Sequence, residues 1–335
     1  MNFRLQLPPG LTACPHSAMA TEFVFHLGGH EPAYLRQAAA EAFTLIDQLE
    51  ARLSFYRESS DVTRLNRASA GTEVSVSPDT LACLALAAEA ARLTGGAFNA
   101  FTGRASVAAK KQEVPLYLTD APGPGEGELG SARSGGRLPG RSLAKAGPCR
   151  PFPLTPQAET PVATAEDGTP GPVVSLHPEA GIVCKLRAGP WLDLGALGKG
   201  YALDQAAALL AEWDITSGCL IAGGSSLRGL GGPGWLLEID QAKTPLSLPG
   251  EFCLGASGFQ FQPGHLIDSR PMPEKSGTIR ALVSAPSAAL ADALSTAAML
   301  LSDEQLARLT REQPAVASLV VDGIGQRYRH GTPFA

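Results

Sequence analysis

The chain has 335 residues, 44% hydrophobic and 18% charged, with a formal net charge of −5. That is globular composition, enough for one large or two ordinary domains. The acidic balance, with no long Lys/Arg run and no interleaved basic-aromatic patch, argues against nucleic-acid binding, and no stretch reaches the roughly 18–20 apolar residues of a membrane helix.

In chain order, Leu11-Thr12-Ala13-Cys14 looks like a lipoprotein cleavage site, but the preceding MNFRLQLPPG has one positive charge, a Pro-Pro pair and no apolar core. The expectation is an unprocessed cytoplasmic protein, with residues 1–18 as an N-terminal extension. TEFVFHL (21–27) predicts a strand. A helix follows, with Pro32 in its first turn and Leu35, Ala39, Ala42, Ile46, Leu49 and Leu53 recurring every three or four residues. Ser77-Pro78 predicts the start of a second helix, which Gly95-Gly96 ends. From about 104 to 172 the chain turns rich in Pro, Gly, Ser and Ala without aliphatic periodicity, which predicts a long disordered insertion. VVSLHPEAGIVCKL predicts a hairpin, YALDQAAALLAEW a helix, and GCLIAGG, WLLEID, FCLGASG and IRALVSA strands. Helices are expected from near Ser287 and over DEQLARLT, and a last hairpin over ASLVVDGIGQRY. Strands and helices mix without β-α-β rhythm, so the expected class is α+β, with mixed sheets and packed helices. The six cysteines form no C-x-x-C pair and read as small core residues.

Three stretches carry chemistry. WLDLGALGKGYALD (191–204) packs three glycines and a lysine into six residues. It is no P-loop: only two residues separate Gly195 from Gly198, and Gly200 follows Lys199 where a hydroxyl belongs. It is expected to end a strand and open a helix, so that free N–H groups, the helix dipole and Lys199 face one turn and favour a phosphate. A plain glycine turn with a solvent lysine is the alternative. In ADALST, Asp292 and Thr296 share a helix face of an otherwise apolar helix. A carboxylate there needs a partner or a cation, and one carboxylate plus one hydroxyl suits Mg²⁺; local capping is the alternative. His265 in GHLID is a candidate general base or an ordinary loop histidine.

Taken in order, Tyr56 in LSFYRESSDVTRLN, then GGAFN, LDLGALGKGYALD, GGSS, GASG, HLID and ADALSTA resemble the ApbE-like family of FAD:protein FMN transferases, over residues 19–103 and 173–335. The resemblance implies an ApbE-like flavin transferase fold over 19–335, interrupted by the insertion. It implies Mg²⁺ held by the Ala196 carbonyl, Asp292 and Thr296, with FAD as substrate. Met19, Tyr56, Ala97, Phe98, Asn99, Asp193, Lys199 and Ile267 would bind the flavin nucleotide, and His265, Lys199 and Asp292 would be catalytic. The partner would be an acceptor protein whose Thr or Ser hydroxyl takes FMN as AMP leaves. Asn99 stands where the family usually has Asp, Ser295 where it often has a further acid, Ser269 after the His-x-x-Asp in place of Pro, and Ala256 in its Thr-Ser-Gly. Asn99, Ser269 and Ala256 touch the flavin cradle and acceptor side; Ser295 falls beside the metal residues, and Ala196, Asp292 and Thr296 themselves stay matched. An FAD pyrophosphatase and a non-catalytic flavin-binding protein are the rival readings.

Overall fold

The computed structural model describes residues 3–103, 173–188, 191–232, 234–239, 245–258, 270, 277–322 and 325–331. The expected insertion at 104–172 lies outside them.

Proline and serine set the helix starts. Helix α1 (Pro32–Leu53) has Pro32 in its first turn and buries Leu35, Ala39, Ala42, Ile46, Leu49 and Leu53. The short α2 (Asp61–Arg67) is capped by Ser60, and α3 (Pro78–Leu93) by Ser77, whose hydroxyl accepts from Thr80 N–H. Gly95 and Gly96, both at positive φ, end that segment. Helix α4 (Gly198–Glu212) opens inside the glycine stretch. Helix α5 (Ala288–Ala298) starts behind the Ser287 cap, and α6 (Asp303–Glu312) behind a Ser302/Gln305 capping box.

The strands are β1 (Phe3–Gln6), β2 (Thr12–Ala18), β3 (Thr21–Leu27), β4 (Glu73–Ser75), β5 (Val174–His177), β6 (Ile182–Lys185), β7 (Gly218–Ala222), β8 (Ser226–Gly231), β9 (Trp235–Ile239), β10 (Leu246–Leu248), β11 (Glu251–Gly258), β12 (Thr278–Ser284), β13 (Ala317–Asp322) and β14 (Arg327–His330). Eight of them form one sheet in the order β14-β13-β12-β11-β8-β7-β3-β2; β1-β9-β10 and β4-β6-β5 form two small ones. Every pairing among the described strands is antiparallel. The α+β class follows, and the β5–β6 hairpin turns at Gly181 as expected from Glu-Ala-Gly. Residues before 19 contribute β1 and β2. Cys14 is a buried residue of β2, and Pro15 sits on the same strand, at the sheet edge, where no neighbour needs its missing N–H.

The main core lies between the large sheet and helices α1, α3, α4 and α5. Helix α5 is wedged between α4 and strand β11. Two glycines make that fit possible. A Cβ on Gly200 would stand 2.2 Å from the Ala288 carbonyl oxygen, and one on Gly255 2.3 Å from that of Ala291. Asp204 of α4 then caps α5 from outside: it accepts from Ala288 N–H and Ala289 N–H at 3.0 Å and pairs with Arg228 at 2.7 Å. Behind the helices, Asp79 accepts from Tyr201 Oη at 3.0 Å and Arg52 Nη1 at 2.5 Å, joining α3, α4 and α1.

The β2–β3 hairpin turns on two residues, Met19 (φ 50°) and Ala20 (φ 56°), with Ala18 paired to Thr21. Two left-handed central residues make a type I′ turn, normally Asn-Gly. A left-handed alanine costs about 1–2 kcal/mol, and glycine's extra chain entropy takes back about half of any gain. Ala20→Gly is therefore expected to stabilise the protein, raising Tm by roughly 1–3 °C in a thermal melt. A lower Tm would contradict the turn.

Candidate functional site

The hairpin tip is one rim of a cleft of about 520 Å³. Small-molecule sites commonly have such volumes. Met19, Tyr56, Ala97, Phe98, Asn99, Asp193, Ala196, Lys199, Asp292 and Thr296 all line it. They come from five separate parts of the chain. His265 and Ile267 lie outside the described residues.

Each wall has a local cause. Ser54, just past α1, folds the next loop by accepting from Tyr56 N–H (3.1 Å) and Arg57 N–H (3.2 Å) with its hydroxyl. This presents the Tyr56 ring, 70% exposed and edge-on to Phe55 at 5.3 Å, at the cleft mouth. A large aromatic held out in solvent beside a cleft offers a flat apolar surface to a ligand. Ala97 and Phe98 are buried in the cleft floor, and Asn99 folds its own loop by accepting from Phe101 N–H at 2.9 Å.

The strand expected before the glycine turn does not form. Residues 191–194 join no sheet. They are held instead by Asn66, whose side chain donates to Leu192 O (2.9 Å) and accepts from Leu192 N–H (2.7 Å). Asp193 N–H bonds Ala100 O at 2.7 Å. Buried Lys185 in turn donates to Leu65 O and Asn66 O at 3.0 Å, fixing the end of α2 that carries Asn66. Asn66 and Lys185 are positioning residues for which spacing gives no signal: each acts across more than a hundred residues of chain.

The amides of the turn are also not all free. Gly198 N–H bonds Leu194 O at 2.8 Å, and Gly195 N–H bonds Asp193 Oδ1 at 2.9 Å. Gly200, third in α4, has a donor that finds no partner within its helix; Asp292 Oδ2 takes it at 2.8 Å. Ser226 Oγ donates to the same oxygen at 2.8 Å. Asp292 Oδ1 accepts no hydrogen bond among the described residues, although Asp292 is only 5% exposed. Burial pushes its carboxyl up to about 6; the Lys199 charge and the bonds from Ser226 and Gly200 oppose this, and the Asp204 charge adds to it.

Beside it, Thr296 Oγ1 donates back to Asp292 O at 3.3 Å, a local bond within its own helix. A hydroxyl that donates inward keeps lone pairs for a cation. Ser295 Oγ bonds Asp292 O (2.9 Å) and Ser257 Oγ (2.8 Å), so it serves the helix and strand β11. Ala196 lines the cleft, and its carbonyl accepts no hydrogen bond among the described residues. Three oxygens of different kinds thus remain for a ligand: a carboxylate oxygen, a hydroxyl and a carbonyl. That donor set fits a hard cation such as Mg²⁺, which takes few protein ligands and fills its shell from water and phosphate. No group of three or more His, Cys, Asp or Glu gathers around a metal position among the described residues. Lys199, without a hydrogen bond or ion pair among the described residues, supplies a positive charge on the same wall.

Fold and cleft together define an α+β protein with a polar ligand site built between a helix N-terminus, a buried carboxylate and an exposed tyrosine. The sequence matches the family model of the ApbE family over residues 19–320, and the chain belongs to that family. Among solved structures, it superposes on the ApbE protein of Thermotoga maritima with a TM-score of 0.70 at 21% identity, covering 96% of this chain and 97% of that one. The flavinyl transferase ApbE of Pseudomonas stutzeri gives 0.69 at 20% identity, covering 97% of each chain. The flavin transferase ApbE from Vibrio cholerae gives 0.69 at 19%, covering 96% of this chain and 98% of that one. At these identities the likeness is one of fold. No curated protein matches the sequence. No helix among the described residues is long and apolar enough to cross a membrane.

Proposed function

We propose that the chain is a flavin transferase, and more finely a Mg²⁺-dependent FAD:protein FMN transferase of the cytoplasm. The observation that carries this reading is Asp292: a buried carboxylate with one oxygen pinned and the other unclaimed, on a cleft shared with Lys199, Ala196 and Thr296. Membership of the ApbE family and likeness in fold to flavin transferases support it.

In this reading the Tyr56 ring and the Ala97-Phe98-Asn99 floor hold the flavin nucleotide, with Met19, Asp193 and Ile267 completing its contacts. Lys199 sits against the pyrophosphate, where its charge offsets the negative charge that builds on the phosphoryl oxygens. Ala196, Asp292 and Thr296 would hold Mg²⁺, which would supply Lewis-acid stabilisation of the pyrophosphate charge. A Thr or Ser hydroxyl of the acceptor protein attacks the phosphorus on the FMN side. The new bond joins acceptor oxygen to phosphorus, the anhydride bond breaks, and AMP leaves with the bridging oxygen. His265 takes the hydroxyl proton.

The test mixes purified protein, FAD and MgCl₂ with an extract of the source cell as acceptor pool. The expected result is a protein band with in-gel flavin fluorescence that survives denaturation, and AMP released alongside it. AMP release with no labelled band would favour the pyrophosphatase reading. Tight FAD binding with neither product would leave a non-catalytic flavin-binding protein.

A further inference from the structure

Ser226 opens strand β8, directly after the Gly223-Gly224-Ser225 turn, and is fully buried. A buried hydroxyl needs a partner, and the one its Oγ bonds is Asp292 Oδ2, at 2.8 Å. The same oxygen takes Gly200 N–H from the opposite element, α4. Two donors on one carboxylate oxygen fix the rotation of the group about its side chain. They leave the other oxygen as the one available to a ligand in the cleft. The Gly200 donor belongs to the backbone; the Ser226 donor is a choice of side chain. Pairing places Ser226 across from Ala222 and Gly255, and Gly255 is the residue whose missing Cβ lets α5 approach. Helix, strand and hydroxyl therefore meet at one point, and the carboxylate lies there.

We propose that Ser226 is a positioning residue for cation binding: it pins Asp292 Oδ2 and so presents Oδ1 to a divalent ion in the cleft. The proposal rests on reading Asp292 as a cation ligand. Outer-shell hydrogen bonds of this kind are commonly worth 10–100-fold in metal affinity.

The test is a titration of FAD binding by flavin fluorescence, in EDTA and across a MgCl₂ series, for the wild type, Ser226→Ala and Asp292→Asn. The expected result for Ser226→Ala is a Mg²⁺ midpoint raised about tenfold or more, with the FAD affinity in EDTA unchanged. A merely structural serine would move both affinities together or neither. If Ser226→Ala fails to fold, Ser226→Cys, which keeps a side-chain donor but a weak one, is expected to raise the midpoint in the same titration. An unchanged midpoint in the folded variant, with the Mg²⁺ response abolished in Asp292→Asn, would overturn the role of Ser226 alone. A wild type whose FAD affinity ignores Mg²⁺, or an Asp292→Asn variant that keeps the response, would overturn the cation reading itself.

Discussion

Asp292→Asn is expected to lower Mg²⁺-dependent AMP release from FAD by roughly a thousandfold, the scale of losing one fixed electrostatic group at a phosphoryl-transfer centre. It is also expected to make the metal-free protein more stable at pH 8. The asparagine oxygen still accepts from Gly200 and Ser226, and the buried charge is gone. The sign follows from the carboxyl. Its ordinary value is 3.8, and burial raises it to about 6 in the folded protein. The folded state therefore holds the proton more tightly than the unfolded one. Its contribution to stability is full below about pH 4 and is lost as pH rises through 6, on the order of 3 kcal/mol in all. Melts at pH 4, 6 and 8 in EDTA read this directly: the Asp292→Asn variant lacks the wild-type loss across that window. Mg²⁺ should return the loss to the wild type alone, since a ligand that binds only the folded state stabilises it. A variant that keeps its turnover, or melts lower than the wild type at pH 8 in EDTA, would remove Asp292 from the metal site. Asp292→Ala is a poorer probe of stability, because it strands the Ser226 hydroxyl and the Gly200 N–H without a partner.

Gly200→Ala is expected to cost about 3 kcal/mol or more and to lower Tm by roughly 6–12 °C. The added carbon would stand 2.2 Å from the Ala288 carbonyl oxygen and 2.6 Å from Ala289 N. Both are backbone atoms, so no side chain can swing aside. Helices α4 and α5 must part, and three bonds strain at once: Asp204 to Ala288 N–H, Asp204 to Ala289 N–H, and Gly200 N–H to Asp292. Activity should fall further than stability explains, because the carboxylate moves with its helix. A well-tolerated Gly200→Ala, melting within a degree of the wild type, would mean that the two helices are not in this close contact.

Much of the fold could be read from the chain because its punctuation is strong. Pro32, Ser77-Pro78 and Ser287 mark helix starts, and the helices begin there. The elements that escaped lack such marks. Helix α2 has seven residues and only two buried hydrophobic side chains, Val62 and Leu65. Strand β2 contains Pro15, which reads as a breaker until its place on the sheet edge is known. Strand β8 reads SLRGLG, and Gly229 belongs there because a side chain would strike Phe252 and the Gly250 carbonyl. The candidate site divides along the same line. Lys199, Asp292 and Thr296 stand out by residue type against glycine or apolar surroundings. Their meeting in one cleft depends on α5 lying against α4, set by packing at Gly200 and Gly255 rather than by local spacing. Ser226 and Asn66 look ordinary in sequence. Their roles exist only through partners 66 and 126 residues away.

The central feature of the proposed site is a cation held at Asp292 against the pyrophosphate of FAD. The most direct measurement is the anomalous diffraction of crystals grown with FAD and Mn²⁺ in place of Mg²⁺. A single strong peak is expected in contact with Asp292, Thr296 and the Ala196 carbonyl, with the FAD pyrophosphate beside it and the flavin ring near Tyr56. FAD seated in the cleft with no metal at Asp292, or FAD bound elsewhere on the protein, would contradict it.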